Sequence, residues 1–158
     1  MLCRVDRRAW ASCIVALLST GLFASPVAAD QCRLQPVPIS GRSGRLGDLA
    51  LDLGEADDPV HPRAWQGPLK ISVGGAPMCT VGADVAIMER LLLLGHDLLY
   101  VATYSGSNNR VYAVDVRSCR VRWSSRLFSG PASYRDPLLM LDKRAVRLAA
   151  DCRPIAKS

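Results

Sequence analysis

The stretch "LLLLGHDLLYVATYSGSNNRVYAVDVRSCRVRWSS", Leu91 to Ser125, decides the fold class of this chain. In two parts of it, Leu98–Thr103 and Val111–Val116, successive side chains fall into two alternating sets, and a shorter alternating part surrounds Trp123. A period of two indicates a β-strand, because successive side chains of a strand point to opposite faces of the sheet. We therefore predict a three-stranded antiparallel meander, with Leu91–Leu94 as a fourth strand.

The remainder of the chain also favours β structure. Segments rich in Pro, Gly and Asp separate three short strand candidates, Leu34–Ile39, Leu49–Leu53 and Leu69–Val73. Ala83–Leu94 is compatible with a helical apolar stripe or, from Arg90 onward, with a buried strand, and we favour the strand for its second half because the meander follows it. The predicted fold is all-β, with disulfide-linked antiparallel meander sheets that resemble a sandwich or a partial β-propeller.

The first 29 residues have the organisation of a secretory signal peptide. A head with three arginines precedes a mostly apolar run, Ile14–Ala24, and Val27-Ala28-Ala29 supplies the small residues that a signal peptidase needs. We expect cleavage after Ala29, a periplasmic location, and a single all-β domain over residues 30–158. The apolar run is shorter than the roughly 20 residues of a membrane-spanning helix, so we expect no membrane association after cleavage.

Charge and composition argue against a nucleic-acid partner. The whole chain has a formal net charge of +6, and removal of three Arg and one Asp with the leader leaves +4 on 129 residues. The charges are scattered, without the basic runs and interleaved aromatic residues that mark nucleic-acid binding. We interpret them as a solvated surface.

Cysteine usage agrees with export. The mature chain would keep Cys32, Cys79, Cys119 and Cys152, an even number without a C-x-x-C spacing. Only two histidines are present, so these cysteines favour two disulfides in an oxidising compartment over a metal site. Four cysteines allow three pairings, which the sequence does not distinguish. We favour the pairing of Cys32 with Cys79 and of Cys119 with Cys152, which would join residues within each half of the chain.

No catalytic or cofactor-binding set is evident. The chain lacks a G-x-S-x-G motif, and "SGRSGRLGD" lacks the preceding strand and the lysine of a phosphate-binding loop. His61 lies in a proline-rich loop and His96 in a predicted turn after Gly95, so both are weak candidates for catalytic bases. Asp57-Asp58 is interpreted as a solvated acidic pair rather than a calcium site. We predict that the protein is not an enzyme and carries no metal or cofactor.

Leu91–Ser125 resembles one blade of the quinoprotein-type β-propeller repeat. In that repeat a strand ending in V-Y-V leads through a Ser/Gly loop to V-Y-A-V-D, a turn and a terminal Trp. The resemblance covers about 35 residues. A closed propeller needs at least four blades of about 40 residues, and the mature chain has room for three at most. The resemblance therefore implies blade-like architecture and does not extend to quinone binding.

The whole mature chain is similar to the periplasmic immunity proteins that protect cells from type VI secreted peptidoglycan amidases. The similarity lies in the size, the export signal, the paired cysteines, the sheet pattern and a Ser/Asn loop, "YSGSNNR". In that group a serine-bearing loop enters the cleft of a papain-like cysteine amidase and contacts its catalytic histidine. The resemblance implies a protein partner, a cognate cysteine amidase, and partner-binding roles for Tyr104, Ser105, Gly106, Ser107, Asn108, Asn109 and Arg110.

The loop residues suit such a role on physical grounds. Ser and Asn have few torsions and can satisfy donors and acceptors of a peptide-binding cleft at little cost in rotamer entropy. We predict that Ser105–Asn109 forms a polar tip longer than a two-residue turn, held between two strands. Alternatives are a solvated hairpin loop, a periplasmic lysozyme inhibitor, a structural or assembly subunit of a propeller-containing envelope complex, and an enzyme that uses His61 or His96.

Overall fold

A computed structural model describes residues 31–155. Its regular structure consists of strands, without a helix in this part of the chain. The strands are β1 (Gln35–Pro36), β2 (Ile39–Ser40), β3 (Ser43–Leu46), β4 (Leu49–Asp52), β5 (Ala64–Trp65), β6 (Lys70–Val73), β7 (Cys79–Thr80), β8 (Met88–Gly95), β9 (Leu98–Ser105), β10 (Asn108–Asp115), β11 (Val121–Ser124), β12 (Ala132–Arg135), β13 (Leu138–Leu141) and β14 (Arg144–Arg147). The predicted signal peptide lies outside the described residues.

The strands form three antiparallel sheets. The first sheet has the order β2-β3-β4-β6-β7, the central sheet β1-β8-β9-β10-β11 and the third sheet β12-β13-β14, while β5 pairs with one end of β8. The predicted meander is β9-β10-β11, and the predicted fourth strand is part of β8. The second half of Ala83–Leu94 is therefore a strand, as predicted, and an irregular turn precedes it.

The middle of the central sheet is buried on both faces, and this layering defines the architecture. Leu99 and Val101 of β9 belong to a core that lies against the first sheet. Tyr100 and Ala102, which alternate with them, belong to a second core against the third sheet. Because neighbouring residues of a strand point to opposite faces, the first and third sheets lie on opposite sides of the central one. The all-β, antiparallel fold class predicted from the sequence is confirmed.

Short turns connect the long strands. Ser105 of β9 pairs with Asn108 of β10, so the connection between them is the two-residue turn Gly106-Ser107. Gly106 has a φ of 64°, and glycine adopts positive φ readily, as the first position of a type II′ hairpin turn requires. The prediction that Ser105–Asn109 forms a longer tip is wrong, because the backbone ladder continues up to this turn.

Two disulfides are present, but not in the pairing that would join residues within each half. Cys32 bonds to Cys152, 120 residues away, and Cys79 bonds to Cys119. The expectation of Cys32–Cys79 and Cys119–Cys152 is wrong. The reason is tertiary, since the fold brings both ends of the described segment to Gly95, where an added β-carbon would collide with Leu34 and Cys152. Two disulfides are characteristic of an oxidising, extracellular-type environment.

A buried hydrogen bond holds the C-terminal segment onto β9. The hydroxyl of Tyr100 donates to the backbone carbonyl of Cys152, and both residues are almost completely buried. Burial raises the pKa of Tyr100, so its hydroxyl stays protonated and available as the donor. The C-terminal segment is therefore attached to the segment before β1 by a disulfide and to the central sheet by a hydrogen bond.

Candidate functional site

The tip of the β9–β10 hairpin consists of five consecutive exposed residues. They are Tyr104, Ser105, Gly106, Ser107 and Asn108. No heavy atom of the described chain other than the immediate neighbours lies within 4 Å of where a β-carbon on Gly106 would be. The space around Gly106 at the end of the hairpin is therefore open, while Ser107 contacts the neighbouring segment.

Asn109 and Arg110 have a different environment from the other predicted site residues. Asn109 is only 8% exposed, and its side-chain amide donates to the carbonyl of Gly130 at 2.6 Å. Its side-chain oxygen is buried without a hydrogen-bond partner. The guanidinium of Arg110 lies 5.9 Å from the ring centre of Tyr112, which it covers. The side chain of Asn109 thus serves the fold, whereas Arg110 borders the tip.

A segment from beyond the meander braces the hairpin. The backbone groups of Asn109 and Phe128 exchange two hydrogen bonds, of 2.9 and 3.1 Å. The hydroxyl of Ser129 donates to the carbonyl of Ser107 at 3.3 Å. The hydroxyl of buried Ser125 accepts a bond from the amide of Val111 at 3.0 Å. These bonds restrain the hairpin along one side, so the tip is presented in a defined conformation.

Two exposed apolar residues lie next to each other at the base of the tip. The amide of Tyr104 donates to the carbonyl of Ile87 at 2.9 Å, and the two residues are 45% and 41% exposed. Ile87 has a φ of 52°, a region that a β-branched residue rarely adopts. Sequence reasoning missed Ile87, because an isoleucine beside Met88 looks like one more residue of a buried apolar stripe.

The acidic pair Asp57-Asp58 has a structural role in its own loop. The carboxylate of Asp57 accepts hydrogen bonds from the amides of Ala64, Arg63 and Asp58, and these bonds lower its pKa. Asp58 accepts from the amides of His61 and Val60, which lower its pKa in the same way. The two carboxylates thus organise their own loop by Asx-type turns.

The other functional signals are sparse in the described part of the chain. Among residues 31–155, no group of three or more His, Cys, Asp or Glu side chains is placed to hold a metal ion. His96 is the first residue of the two-residue turn between β8 and β9, as the sequence predicts. The four cysteines are paired in disulfides and do not titrate.

Within residues 31–155, no helix is long and apolar enough to cross a membrane.

No protein-family model matches this chain, and no curated protein matches it in sequence. The functional proposal therefore depends on the geometry of the hairpin and its surroundings.

Proposed function

We propose that this protein is a periplasmic immunity protein that blocks the cleft of a type VI secreted cell-wall amidase with the tip of its β9–β10 hairpin. The observation that carries the proposal is the row of exposed residues from Tyr104 to Asn108 on a braced hairpin. The two disulfides support it, because an inhibitor of a cell-wall hydrolase works in an oxidising compartment outside the cytoplasm.

The tip has the chemistry of a cleft-filling segment. Ser105, Ser107 and Asn108 offer short hydroxyl and amide groups, which donate and accept hydrogen bonds as a peptide substrate does. The two-residue turn makes the tip narrow, and Gly106 adds no side chain at its end. Because hydrogen bonds to the neighbouring segment already restrain the hairpin, little ordering entropy opposes binding.

The apolar pair at the base of the tip would provide the anchor of the same interface. Tyr104 and Ile87 expose apolar surface immediately behind the polar end of the hairpin. Tyrosine is enriched among the residues that contribute most to binding energy at protein interfaces. In the proposed complex the polar tip enters the cleft, and this pair packs against the rim.

Inhibition assays with single-residue variants test the proposal. The activity of a papain-like cysteine amidase on purified peptidoglycan is measured with increasing wild-type protein and with the Ser107→Trp variant. The matched control is Asp48→Trp, because Gly47-Asp48 forms an equivalent two-residue turn between β3 and β4, with Gly47 at a φ of 55°. A lysozyme is assayed in parallel, since a lysozyme inhibitor is the alternative within the same class.

The expected result is inhibition of the amidase that Ser107→Trp weakens by at least about 100-fold and that Asp48→Trp leaves unchanged. Loss of one well-packed hot spot typically costs 2 kcal/mol or more, and a bulky indole in a narrow cleft adds a clash. Inhibition of lysozyme instead of the amidase would contradict the choice of target. Equal inhibition by both variants would assign binding to another surface.

A further inference from the structure

A groove of about 610 Å³ opens at the end of the central sheet opposite the hairpin tip. Its walls come from the β8–β9 turn, the paired strands β10 and β11, and the C-terminal segment; they include His96, Asp115, Trp123 and Arg153. β9 begins at this end and finishes at the tip, and its eight residues at about 3.4 Å each separate the two surfaces by roughly 24 Å. We propose that this groove binds a neutral oligosaccharide.

Trp123 is the first reason for a saccharide. It lies on β11 opposite Ala113, packs against the core between the central and third sheets, and also lines the groove. Its indole is therefore supported from behind and open in front. A supported aromatic face offers a flat apolar platform, which complements the C–H face of a pyranose ring, while the indole N–H remains available as a donor.

The charges around the groove are the second reason, because each carboxylate that lines it is paired with an arginine. The pairs are Asp97–Arg117 at 3.2 Å, Asp115–Arg122 at 3.1 Å and Asp151–Arg153 at 3.3 Å. These pairs leave little uncompensated charge to attract an ion. Their remaining donors and acceptors suit hydroxyl groups, which donate and accept at once.

The ion pair of Asp115 and Arg122 is held in place by neighbouring groups in the absence of a ligand. One oxygen of the Asp115 carboxylate accepts hydrogen bonds from the amide and the hydroxyl of Ser118, both at 2.9 Å. Its other oxygen accepts from two nitrogens of Arg122, at 3.3 and 3.1 Å. The guanidinium of Arg122 is thus held in place in the groove that Trp123 also lines. Such fixed polar groups typically set the orientation of a bound ligand.

A titration followed by NMR tests the inference. The ¹⁵N-labelled full chain is titrated with the neutral N-acetylglucosamine trimer, and the indole N–H signals are followed. Trp65 is completely buried in the other core and serves as an internal reference. We expect a saturable shift of the Trp123 signal at millimolar sugar and no shift of the Trp65 signal. Trp123→Phe and Trp65→Phe variants assign these two of the three indole signals that the full chain gives.

Two variants and a charged probe complete the design. Trp123→Ala should abolish saccharide binding while the Trp65 signal keeps its position, which shows that the fold is intact. Ser107→Trp should bind the trimer like the wild type, so failure of the proposed amidase inhibition and failure of this inference are separable. The inference is overturned if the trimer shifts no Trp123 signal, or if only a sulfated analogue binds in a salt-dependent way.

Discussion

Alanine at position 95 tests how tightly the two ends of the described chain are fixed onto the central sheet. Gly95 is the last residue of β8, and its φ is not in the positive range, so the backbone itself does not require glycine. A β-carbon there would lie 2.4 Å from the Cδ2 atom of Leu34 and 2.7 Å from the Sγ atom of Cys152. Both distances are far below van der Waals contact, so Leu34, Cys152 or the backbone of β8 must move.

The size of the destabilisation by Gly95→Ala depends on which neighbour of the added methyl group can move. The end of the Leu34 side chain can rotate, but Cys152 is held by its disulfide to Cys32 and by the hydrogen bond that its carbonyl accepts from Tyr100. Overpacking of this kind costs about 1 to 3 kcal/mol, and the rigid partner places Gly95→Ala at the upper end. Alanine also restricts the unfolded chain, which returns about 0.4 to 1 kcal/mol. We expect a net destabilisation of about 2 kcal/mol.

Equilibrium urea unfolding and thermal melting of the oxidised proteins measure this effect. For a domain of this size, about 2 kcal/mol corresponds to a fall in Tm of roughly 6 to 10 °C. The matched control is Gly82→Ala, since Gly82 also has ordinary φ and no heavy atom within 4 Å of the added methyl group. Gly82→Ala should be neutral or slightly stabilising. If Gly95→Ala is as stable as Gly82→Ala, the close packing of Leu34 and Cys152 against β8 is refuted.

Three further predictions concern the disulfides, the acid range and the exposed surface. Replacing Cys32 and Cys152 together by Ala should cost about 5 kcal/mol in urea unfolding, because the bond closes a loop with a sequence separation of 120, and an unchanged midpoint would contradict this. Despite partial burial, hydrogen bonds from Ser118 and the guanidinium of Arg122 lower the pKa of Asp115. The contribution of Asp115 to the stability of the fold is therefore present above the unfolded pKa of about 3.9 and is lost as the pH falls below that value. Melting temperatures should accordingly fall less steeply below about pH 4 in Asp115→Asn than in the wild type. Ile87→Gly should relieve the strain of the positive φ and leave the free energy of unfolding equal or up to about 1 kcal/mol higher. The same variant should weaken amidase inhibition, and a gain in inhibition would refute the proposed apolar contact.

Local sequence patterns were sufficient for the strands and hairpins of the central sheet. The alternation through Leu98–Thr103 and Val111–Val116 predicted β9 and β10, because the period of a strand is a property of neighbouring residues. The even cysteine count likewise predicted two disulfides. Of the predicted tip Ser105–Asn109, the residues up to Asn108 are exposed, whereas Asn109 is buried and the turn is shorter than predicted.

The tertiary structure alone decided the features that join distant parts of the chain. Asn109 looks like one more polar tip residue, but Phe128 and Gly130 turn it into a buried brace. Cys32 bonds to Cys152 rather than to Cys79, because the two ends of the described segment meet beside Gly95. Side-chain alternation acts over a few residues, so the sequence by itself determined the long strands β9 and β10 and the presence of two disulfides. The pairing of the cysteines, the brace and the groove depend on sheet packing between residues far apart, which no local pattern encodes.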